Sequence, residues 1–180
     1  MNIAVIGRGN VGGGLADRWR AAGHDVQELG KDGGDVSAAD VLVIAVPAGA
    51  IADAFSKLSG AGGKLAIDTT NAIGGRPDGF ESLTHQVKSL TNGATSKAFN
   101  TIFARAYDKI AGQSCLWCGD DDARDATEGL ITDAGLEPVH VGDLRYAASL
   151  EDVLLNVIFP ISQDRGGPFF YRIEDAGFDP

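Results

Sequence analysis

The chain has little of what most metal, nucleic-acid and membrane sites require. It contains two cysteines and three histidines, and its 25 acidic against 15 basic side chains give a net charge of -10 at pH 7. That charge repels the phosphates of nucleic acids and of anionic lipids. No apolar run reaches the roughly 18 to 20 residues of a membrane span, and Met1 leads into an apolar segment without a signal-peptide pattern. We therefore expect a cytoplasmic protein whose partner is a small molecule, not a nucleic acid or a membrane.

The histidines and cysteines are too scattered for a metal centre or a nucleophilic triad. His24 lies just before the second predicted strand, His85 on a predicted surface helix and His140 at the end of a late predicted strand. Cys115 and Cys118 have the spacing of a redox pair, but their apolar surroundings are typical of a strand, where residues three apart point to opposite faces. We predict two buried structural thiols, no metal site, and chemistry that a bound organic cofactor supplies.

Short apolar segments alternate with amphipathic stretches along the chain, which is typical of a parallel sheet covered by helices on both faces. The 180 residues, 44% of them hydrophobic, suffice for one α/β core but not for a nucleotide domain plus a full substrate domain. We predict a single three-layer, Rossmann-type domain over residues 1–180 with a mainly parallel sheet. The predicted strands are 3–6, 26–29, 41–46, 65–68, 97–99, 115–118 and 138–141, and the predicted helices are 10–22, 47–58, 80–90, 120–134 and 143–158.

The connection between the second and third predicted strands is unusually short. It runs from Leu29 to Val41 and contains Gly30, Gly33 and Gly34. The eleven residues from Gly30 to Asp40 are at the lower limit for the crossover of an ordinary βαβ unit, which needs roughly ten to twelve residues or more, and three of them are glycines. We predict that a tight loop replaces the crossover helix.

The C-terminal part of the chain, about 143–180, is predicted as a helical extension packed on the domain. It contains an apolar stretch, residues 153–159, and the aromatic run Phe169-Phe170-Tyr171. Two interpretations of these residues are open: they close the core, or they form a face for a second copy of the chain.

The segment Gly7-Arg8-Gly9-Asn10-Val11-Gly12 has the G-x-G-x-x-G spacing of dinucleotide-binding turns and stands where that function requires it, between an apolar strand and a helix. Gly7 permits the tight turn, Gly9 lets a pyrophosphate approach the backbone, and Gly12 lets the helix pack on the strand. The helix N-terminus then faces the phosphates. We interpret residues 7–12 as a dinucleotide site; the alternative is a glycine-rich turn without a ligand.

The end of the second predicted strand decides between NAD and NADP, because an acid there bonds the ribose 2′-hydroxyl and a cation accommodates a 2′-phosphate. The deciding positions are Gly30 and Lys31, and Arg8 in the glycine turn can point to the same ribose. Arg8 and Lys31 together could bracket a 2′-phosphate, which favours NADP(H). Glu28, which shares a strand face with Gly30, and Asp32 are the acids that could serve NAD instead.

Three further segments end predicted strands at the edge of the sheet where ligands bind in open α/β folds. They are Ala45-Val46-Pro47, Asp68-Thr69-Thr70-Asn71 and Phe99-Asn100-Thr101. Their polar side chains could bond the nicotinamide amide or a substrate; alternatively, they cap the loops. The candidates for cofactor contacts are Ala45, Val46, Pro47, Thr70 and Asn71, and the candidates for the reacting end are Asn71, Asn100 and Thr101.

Four further segments accompany the glycine turn, and the second and third of them are more specific than it. They are Ala45-Val46-Pro47, Lys97-Ala98-Phe99-Asn100-Thr101, Cys118-Gly119-Asp120-Asp121-Asp122 and Ser149-Leu150-Glu151. With these segments the chain resembles the NADPH:coenzyme F420 oxidoreductase family, also described as NADP oxidoreductase, coenzyme F420-dependent. That family is similar to the cytosolic domain of the STEAP metalloreductases. The resemblance runs nearly end to end, as far as the Pro168-Phe169-Phe170-Tyr171 tail.

The resemblance implies a homodimer that transfers a hydride between NADP(H) and a deazaflavin, coenzyme F420, or a flavin. It also implies that Arg8, Gly30 and Lys31 contact the 2′-phosphate and that the deazaflavin lies near Asn100 and Thr101. Three departures from the family are the missing crossover helix, Gly-Lys in place of a Ser-Arg pair at the second strand end, and Asn100 in place of a histidine of the archaeal enzyme. Alternative functions are a reductase of another small acceptor and a non-catalytic module that senses NADP(H).

Overall fold

Strands and helices alternate along the chain in the order that the apolar pattern predicts. The structure is a computed structural model, and it describes residues 1–109 and 111–174. The strands are β1 (Asn2–Ile6), β2 (Asp25–Leu29), β3 (Gly34–Asp35), β4 (Val41–Ile44), β5 (Leu58–Ser59), β6 (Leu65–Asp68), β7 (Thr95–Lys97), β8 (Ser114–Gly119) and β9 (Glu137–Gly142). The α-helices are α1 (Asn10–Ala21), α2 (Ile51–Ser56), α3 (Leu83–Thr91), α4 (Arg124–Asp133), α5 (Ala147–Val153) and α6 (Phe159–Asp164). A π-helical turn (Leu154–Ile158) joins α5 to α6, and short 3₁₀ turns occupy Ala48–Ala50, Ala104–Lys109, Asp121–Ala123 and Leu144–Tyr146.

Seven strands form one sheet in the order β2-β1-β4-β6-β7-β8-β9. The first five are parallel, whereas β8 pairs antiparallel with β7 and parallel with β9. The strand order reverses at β1, since the chain passes to β2 on one side and then returns to β4 on the other. Such a reversal leaves a crevice at the carboxyl ends of the strands, which is where ligands bind in open α/β sheets. The predicted Rossmann-type architecture is confirmed.

Helices cover both faces of the sheet, so the central strands carry apolar side chains without alternation. All residues of Val41–Ile44 are buried, for example. On one face Trp19 of α1 and Leu130 of α4 belong to one apolar cluster, and the Trp19 Nε1 donates to the Leu130 carbonyl oxygen at 2.8 Å. On the other face Phe55 of α2 and Leu83 of α3 belong to a second cluster. The two layers hold β1 and β4 in place beneath the crevice.

The loop that replaces the second crossover helix is anchored to the segment after α2. Gly34 N donates to the Lys57 carbonyl at 3.1 Å, and Val36 N donates to the Ser59 carbonyl at 2.9 Å, which pairs β3 with β5 in parallel. Gly33, with φ of 71°, approaches so closely that a Cβ there would overlap the Lys57 carbonyl oxygen. The predicted loop is confirmed, and a two-strand ribbon stands where the helix would have packed.

The predicted C-terminal extension, about 143–180, is helical from Leu144 to Asp164, beyond the end predicted at 158. Residues 165–174 contain no helix or strand. This segment lies against the start of β8, because Ser114 N donates to the Tyr171 carbonyl at 3.1 Å and Ile173 N donates to Ser114 Oγ at 2.8 Å. The remaining part of the predicted extension, residues 175–180, lies outside the described residues.

Two strands differ from the prediction by two residues, and the others by at most one. The fifth strand of the sheet was predicted at 97–99 and is observed at Thr95–Lys97. Phe99 has φ of 64°, a left-handed conformation in which a strand cannot continue. Similarly, β4 ends at Ile44 instead of residue 46, because the chain turns at Ala45 to approach the glycine turn.

Helix boundaries differ as well. The second helix begins at Ile51 instead of residue 47 and the fourth at Arg124 instead of residue 120, since the 3₁₀ turns Ala48–Ala50 and Asp121–Ala123 precede them. The second helix ends at Ser56, not at residue 58, because Leu58 belongs to the ribbon with β3. The third helix begins at Leu83 instead of residue 80, because the Ser82 side chain accepts a hydrogen bond from His85 N at 3.2 Å and caps the first turn. The end of the second helix and the start of the third are thus set by single contacts that a periodic apolar pattern does not record.

Candidate active site

The glycine turn has the backbone geometry that its motif predicts. Gly7 has φ of 115°, and a Cβ there would overlap the carbonyl oxygen of Ala45. A Cβ on Gly12 would overlap the Gly7 carbonyl oxygen in the same way. A Cβ on Gly9, in contrast, meets nothing within 4 Å. Gly7 and Gly12 therefore serve the close packing of β1, β4 and α1, and Gly9 is the position where a ligand can approach the backbone.

The first turn of α1 is free to receive an anion. Gly9 is its N-cap residue, no side chain caps the first N–H groups, and the turn contains no acidic residue. Unpaired N–H groups and the positive end of the helix dipole both attract negative charge. The arrangement therefore suits the pyrophosphate that the sequence predicts.

A cleft of about 470 Å³ opens between the glycine turn and the ends of β4 and β6. None of the described residues that line it carries a charge, so α1 supplies the favourable potential for an anion. Ile73 is 63% exposed and gives the outer wall an apolar surface. The predicted cofactor residues in the lining are Gly9, Asn10, Val11, Ala45, Val46, Pro47, Thr70 and Asn71, and the lining residues that sequence reasoning missed are Ala48, Thr69 and Ile73.

Arg8 extends from the glycine turn to the end of β2. Its guanidinium lies against the Cα of Gly30, because a Cβ on Gly30 would stand 2.9 Å from Arg8 Cζ. Any larger residue at position 30 would displace the guanidinium. Arg8 and Lys31 are both exposed, and neither has a hydrogen bond or an ion pair within residues 1–109 and 111–174. Arg8 therefore lies beside Gly30 at the end of β2, next in the chain to Gly9, and Lys31 follows Gly30.

The acid that could serve a 2′-hydroxyl is already paired. Glu28 Oε1 lies 2.8 Å from an Arg20 guanidinium nitrogen, and its Oε2 would stand 3.8 Å from a Cβ on Gly13. The carboxylate thus lies beside α1, where Arg20 offsets its charge and reduces its repulsion of an anion near Arg8. Asp32, the second acid of concern, is exposed.

Hydrogen bonds to neighbouring strands hold the floor of the cleft. Thr69 donates twice to the Ile44 carbonyl, from N at 3.0 Å and from Oγ1 at 2.9 Å. Thr70 donates to Asp68 Oδ1 from N at 2.8 Å and from Oγ1 at 2.6 Å. The hydroxyl proton of Thr70 is therefore in use, and toward a ligand this hydroxyl can only accept. This geometry favours the loop-capping interpretation of Thr70.

Asn71 and Asn100 lie together, as the ends of adjacent parallel strands should. Asn71 Nδ2 donates to the Asn100 carbonyl at 2.9 Å, and Asn100 Nδ2 donates to Asn71 Oδ1 at 3.0 Å and to the Leu150 carbonyl at 2.9 Å. Asn71 lines the cleft, whereas Asn100 is 3% exposed and lies behind it. The Asn100 Oδ1 is buried without a partner in the described part of the chain. Asn100 therefore acts on the cleft through Asn71.

Thr101 faces the C-terminal segment instead of the cleft. It is 1% exposed, and its Oγ1 lies 2.6 Å from the Tyr171 hydroxyl. Burial raises the pKa of Tyr171 to about 12, against the opposing effect of this hydrogen bond. Thr101 and Tyr171 thus join the end of the described chain to the strand edge that carries the cleft.

A group of buried charges beside the cleft was missed by sequence reasoning. Lys97 Nζ lies 2.7 Å from Asp68 Oδ2 and 3.3 Å from Glu151 Oε1, and all three side chains are fully buried. Arg76 Nε donates to Glu151 Oε2 at 2.7 Å, and this hydrogen bond raises the pKa of the Arg76 guanidinium. The signal was present in the sequence, because a lysine in a strand covered on both faces requires a buried acidic partner.

The cysteines are structural, as predicted. Cys115 and Cys118 are buried and not joined by a disulfide. Cys115 packs in the cluster that contains α1, and Cys118 packs against α5 on the opposite face. Burial raises the pKa of each thiol to about 12, so neither is a thiolate at neutral pH.

Two other kinds of site receive no support from the described residues. Within residues 1–109 and 111–174 no three His, Cys, Asp or Glu side chains lie together as a metal would require. No helix in the same part of the chain combines the length and apolar character needed to span a bilayer.

Sequence comparisons find no relative of this chain. No family model matches it, and no curated protein matches it. Its likeness to known proteins therefore comes from solved structures.

One such structure is a protein from Arthrobacter sp. FB24 that is provisionally named an F420-dependent NADP-reductase. It superimposes with a TM-score of 0.78 at 22% identity, over 97% of this chain and 100% of that one. A hypothetical protein from Sinorhizobium meliloti gives a TM-score of 0.65 at 26% identity, over 82% of this chain and 88% of that one. These likenesses establish the Rossmann-type fold. The family resemblance drawn from the sequence is thereby confirmed at the level of the fold.

Longer reductases share the same fold. A reductive aminase from Aspergillus terreus, solved in complex with NADPH and ethyl levulinate, gives a TM-score of 0.68 at 13% identity. The match covers 91% of this chain but only 62% of the aminase. An imine reductase from Pseudomonas sp. gives a TM-score of 0.67 at 19% identity, over 92% of this chain and 63% of that one.

Proposed function

We propose that this chain is an NADP(H)-dependent oxidoreductase that transfers a hydride between the nicotinamide and a deazaflavin (coenzyme F420) or flavin-type acceptor. The observation that carries the proposal is the position of Arg8. Its unpaired guanidinium lies over Gly30 at the end of β2, beside the open glycine turn. A cation at this place, with glycine in the position of the usual acid, fits the 2′-phosphate that distinguishes NADP from NAD.

The residues present fit a dinucleotide along the whole edge of the sheet. The N–H groups at the start of α1 would hold the pyrophosphate above Gly9, where a side chain is absent. Arg8 and Lys31 would hold the 2′-phosphate, and Val46, Pro47 and the Thr70 to Asn71 segment would line the nicotinamide half. The bound cofactor supplies the hydride; the protein aligns the two rings and excludes water.

The proposed class of acceptor rests on the share of each similar protein that this chain covers, as well as on the shared fold. This chain covers the whole of the Arthrobacter protein, whose provisional name includes coenzyme F420, but only 62% of the reductive aminase. The apolar outer wall around Ile73 suits a flat ring system stacked on the nicotinamide. Both observations favour a deazaflavin or flavin over an imine.

A stopped-flow assay tests the proposal. NADPH and NADH are mixed in turn with the protein and coenzyme F420, FMN, FAD, riboflavin or a cyclic imine, and oxidation is followed at 340 nm. We expect turnover with NADPH and a deazaflavin or flavin. Turnover with the imine alone would show that the acceptor is an imine and not a deazaflavin or flavin. NADPH binding without turnover of any acceptor would favour a module that senses NADP(H).

We also propose a homodimer, formed through the C-terminal part of the chain. Leu154 and Ile158 are buried and close the core, but Val157, Ile161 and Phe170 are 46%, 39% and 46% exposed. A second copy is the occupant that would cover this exposed apolar surface. A monomer mass by light scattering at micromolar concentration would contradict it. The cytoplasmic location expected from the sequence stays a prediction.

A further inference from the structure

The buried charges beside the cleft are arranged around a single residue of its floor. Thr70 N and Thr70 Oγ1 donate to Asp68 Oδ1 at 2.8 Å and 2.6 Å, and the Thr70 carbonyl accepts from Lys97 Nζ at 2.9 Å. Asp68 and Lys97 thus hold all three polar groups of Thr70. Thr70 lines the cleft, and Asn71 follows it.

The same charges are tied to the rest of the fold by further bonds. Asp68 Oδ2 accepts from Lys97 Nζ at 2.7 Å and from Thr84 Oγ1 at 2.8 Å. Glu151 Oε1 lies 3.3 Å from the same amine and accepts from Leu83 N at 2.9 Å. The amine therefore donates two hydrogen bonds, to Asp68 and to the Thr70 carbonyl, and forms an ion pair with Glu151. These contacts restrain the amine and the groups around it.

Stability alone is a weak reason for such an arrangement. Buried ion pairs are often no more stabilising than apolar residues of the same volume, because the charges lose their hydration. A network of this kind instead selects one conformation and excludes its neighbours. Here the conformation selected is that of residues 68–71, the end of β6 at the cleft floor.

We propose that Lys97 is a positioning residue for the nicotinamide end of the bound dinucleotide. Its amine fixes the Thr70 carbonyl directly and the Thr70 hydroxyl through Asp68, so that the floor and Asn71 present one shape to the ring and its ribose. The inference rests on the proposed NADP(H) function. It assigns Lys97 no contact with the cofactor, and none with the 2′-phosphate or adenosine end at Arg8.

The test compares two ligands that share one end. NADPH contains both ends of the dinucleotide, and adenosine 2′,5′-bisphosphate contains only the adenosine end with its phosphates. In Lys97→Met the dissociation constant for NADPH is expected to rise about tenfold, because hydrogen bonds that order the nicotinamide subsite are lost. The constant for adenosine 2′,5′-bisphosphate should change less than about twofold. Lys88→Met, which removes a different lysine–aspartate pair remote from the cleft, is the matched control and should change neither constant.

A second variant separates positioning from charge balance. Lys97→Met leaves Asp68 buried without its cation, which costs stability. The double variant Lys97→Met with Asp68→Asn removes that imbalance and keeps acceptors for Thr70, but it does not restore the bond to the Thr70 carbonyl. We expect it to unfold at a higher urea concentration than Lys97→Met and still to bind NADPH weakly.

Recovery of NADPH affinity in the double variant would overturn the proposal, because charge balance alone would then explain the effect. A proportional loss of affinity for both ligands in the double variant would overturn it too, because Lys97 would then serve only the fold. Failure of the unmodified protein to bind NADPH at all would instead remove the proposed function, so the two failures are distinguishable.

Discussion

The two ends of the candidate site are built on opposite principles. At the phosphate end Arg8 and Lys31 are exposed, and within the described residues they have no partner. At the floor, Thr70 has every polar group bonded, and the charges behind it are fully buried. One end is open to solvent and the other is fixed before any ligand arrives.

The difference is the one that the proposed function requires. A phosphate is recognised by charge, and long exposed cations adapt to it at a modest entropic cost. A hydride donor must instead be aligned with its acceptor, and alignment depends on a rigid frame. The phosphate end should therefore govern which cofactor binds, and the floor should govern how well the bound cofactor is placed. Each prediction below tests one side of this contrast.

The largest effect is expected for Gly9→Val. The substituted side chain would occupy the open space above the turn that the pyrophosphate requires, whereas the fold has no contact there to lose. We expect NADPH affinity to fall by about a hundredfold or more, with the free energy of unfolding within about 1 kcal/mol of the unmodified protein. Isothermal titration and urea unfolding measure the two quantities.

Gly12→Val is the matched control for that variant. Its Cβ would overlap the Gly7 carbonyl oxygen, so the protein itself should be strongly destabilised. If Gly9→Val keeps its NADPH affinity, the dinucleotide lies elsewhere.

The next effect concerns the phosphate end alone. We expect NADPH to bind at least about tenfold more tightly than NADH, a difference of about 1.4 kcal/mol, because charge-assisted bonds from Arg8 and Lys31 reach only NADPH. Arg8→Ala with Lys31→Ala should remove most of this preference and leave NADH affinity nearly unchanged. High salt should narrow the gap in the same direction.

The outcome that contradicts this prediction is equal affinity for NADH and NADPH in the unmodified protein. Glu28 or the shortened loop at residues 30–34 would then give the ribose pocket a shape that binds NAD as well as NADP. Glu28→Gln, which removes the acid next to α1, would be the variant to examine in that case.

A smaller effect is expected at the other end, from Asn100→Ala. Its amide donates to Asn71 Oδ1 and to the Leu150 carbonyl, so its removal loosens Asn71 at the reacting end of the site. Turnover should fall about fivefold, which corresponds to one hydrogen bond of about 1 kcal/mol, while NADPH affinity changes less than about twofold. If turnover is unaffected and only stability falls, Asn100 is a loop cap.

The last effect is on the stability of the fold, not on the cofactor, and it appears only at alkaline pH. The pKa of Cys118, which packs against α5 near the buried charges, and that of Cys115 are raised from 9.0 to about 12 by burial. Between these values the folded protein binds more protons than the unfolded chain. The stabilisation is therefore complete below about pH 9 and is lost as the pH rises toward 12.

Urea unfolding at about pH 8 and about pH 10.5 should show this loss, at roughly 1 kcal/mol or more per thiol. The double variant Cys115→Ala with Cys118→Ala should have a smaller slope of stability against pH, whatever its absolute stability. An unchanged slope would mean that other groups, such as Tyr171, account for the alkaline loss.

The sequence by itself determined the architecture and the phosphate end. Apolar segments such as Val41–Ile44 are local signals of covered strands, and the glycine spacing of residues 7–12 is a local signal of a turn with space above Gly9. The missing crossover helix could also be predicted, because the connection between Leu29 and Val41 is short and contains three glycines.

Only the tertiary structure decided the floor of the site. Asp68, Lys97 and Glu151 are far apart in the chain. Asp68 and Lys97 meet because β6 and β7 pair in parallel with these two residues in register, and Glu151 reaches them from α5. The left-handed Phe99, which ends β7 and sends Asn100 behind Asn71, is likewise imposed by packing and not by its own preference. Local patterns record which residues prefer a strand or a turn, but burial and pairing of charges depend on which distant elements meet.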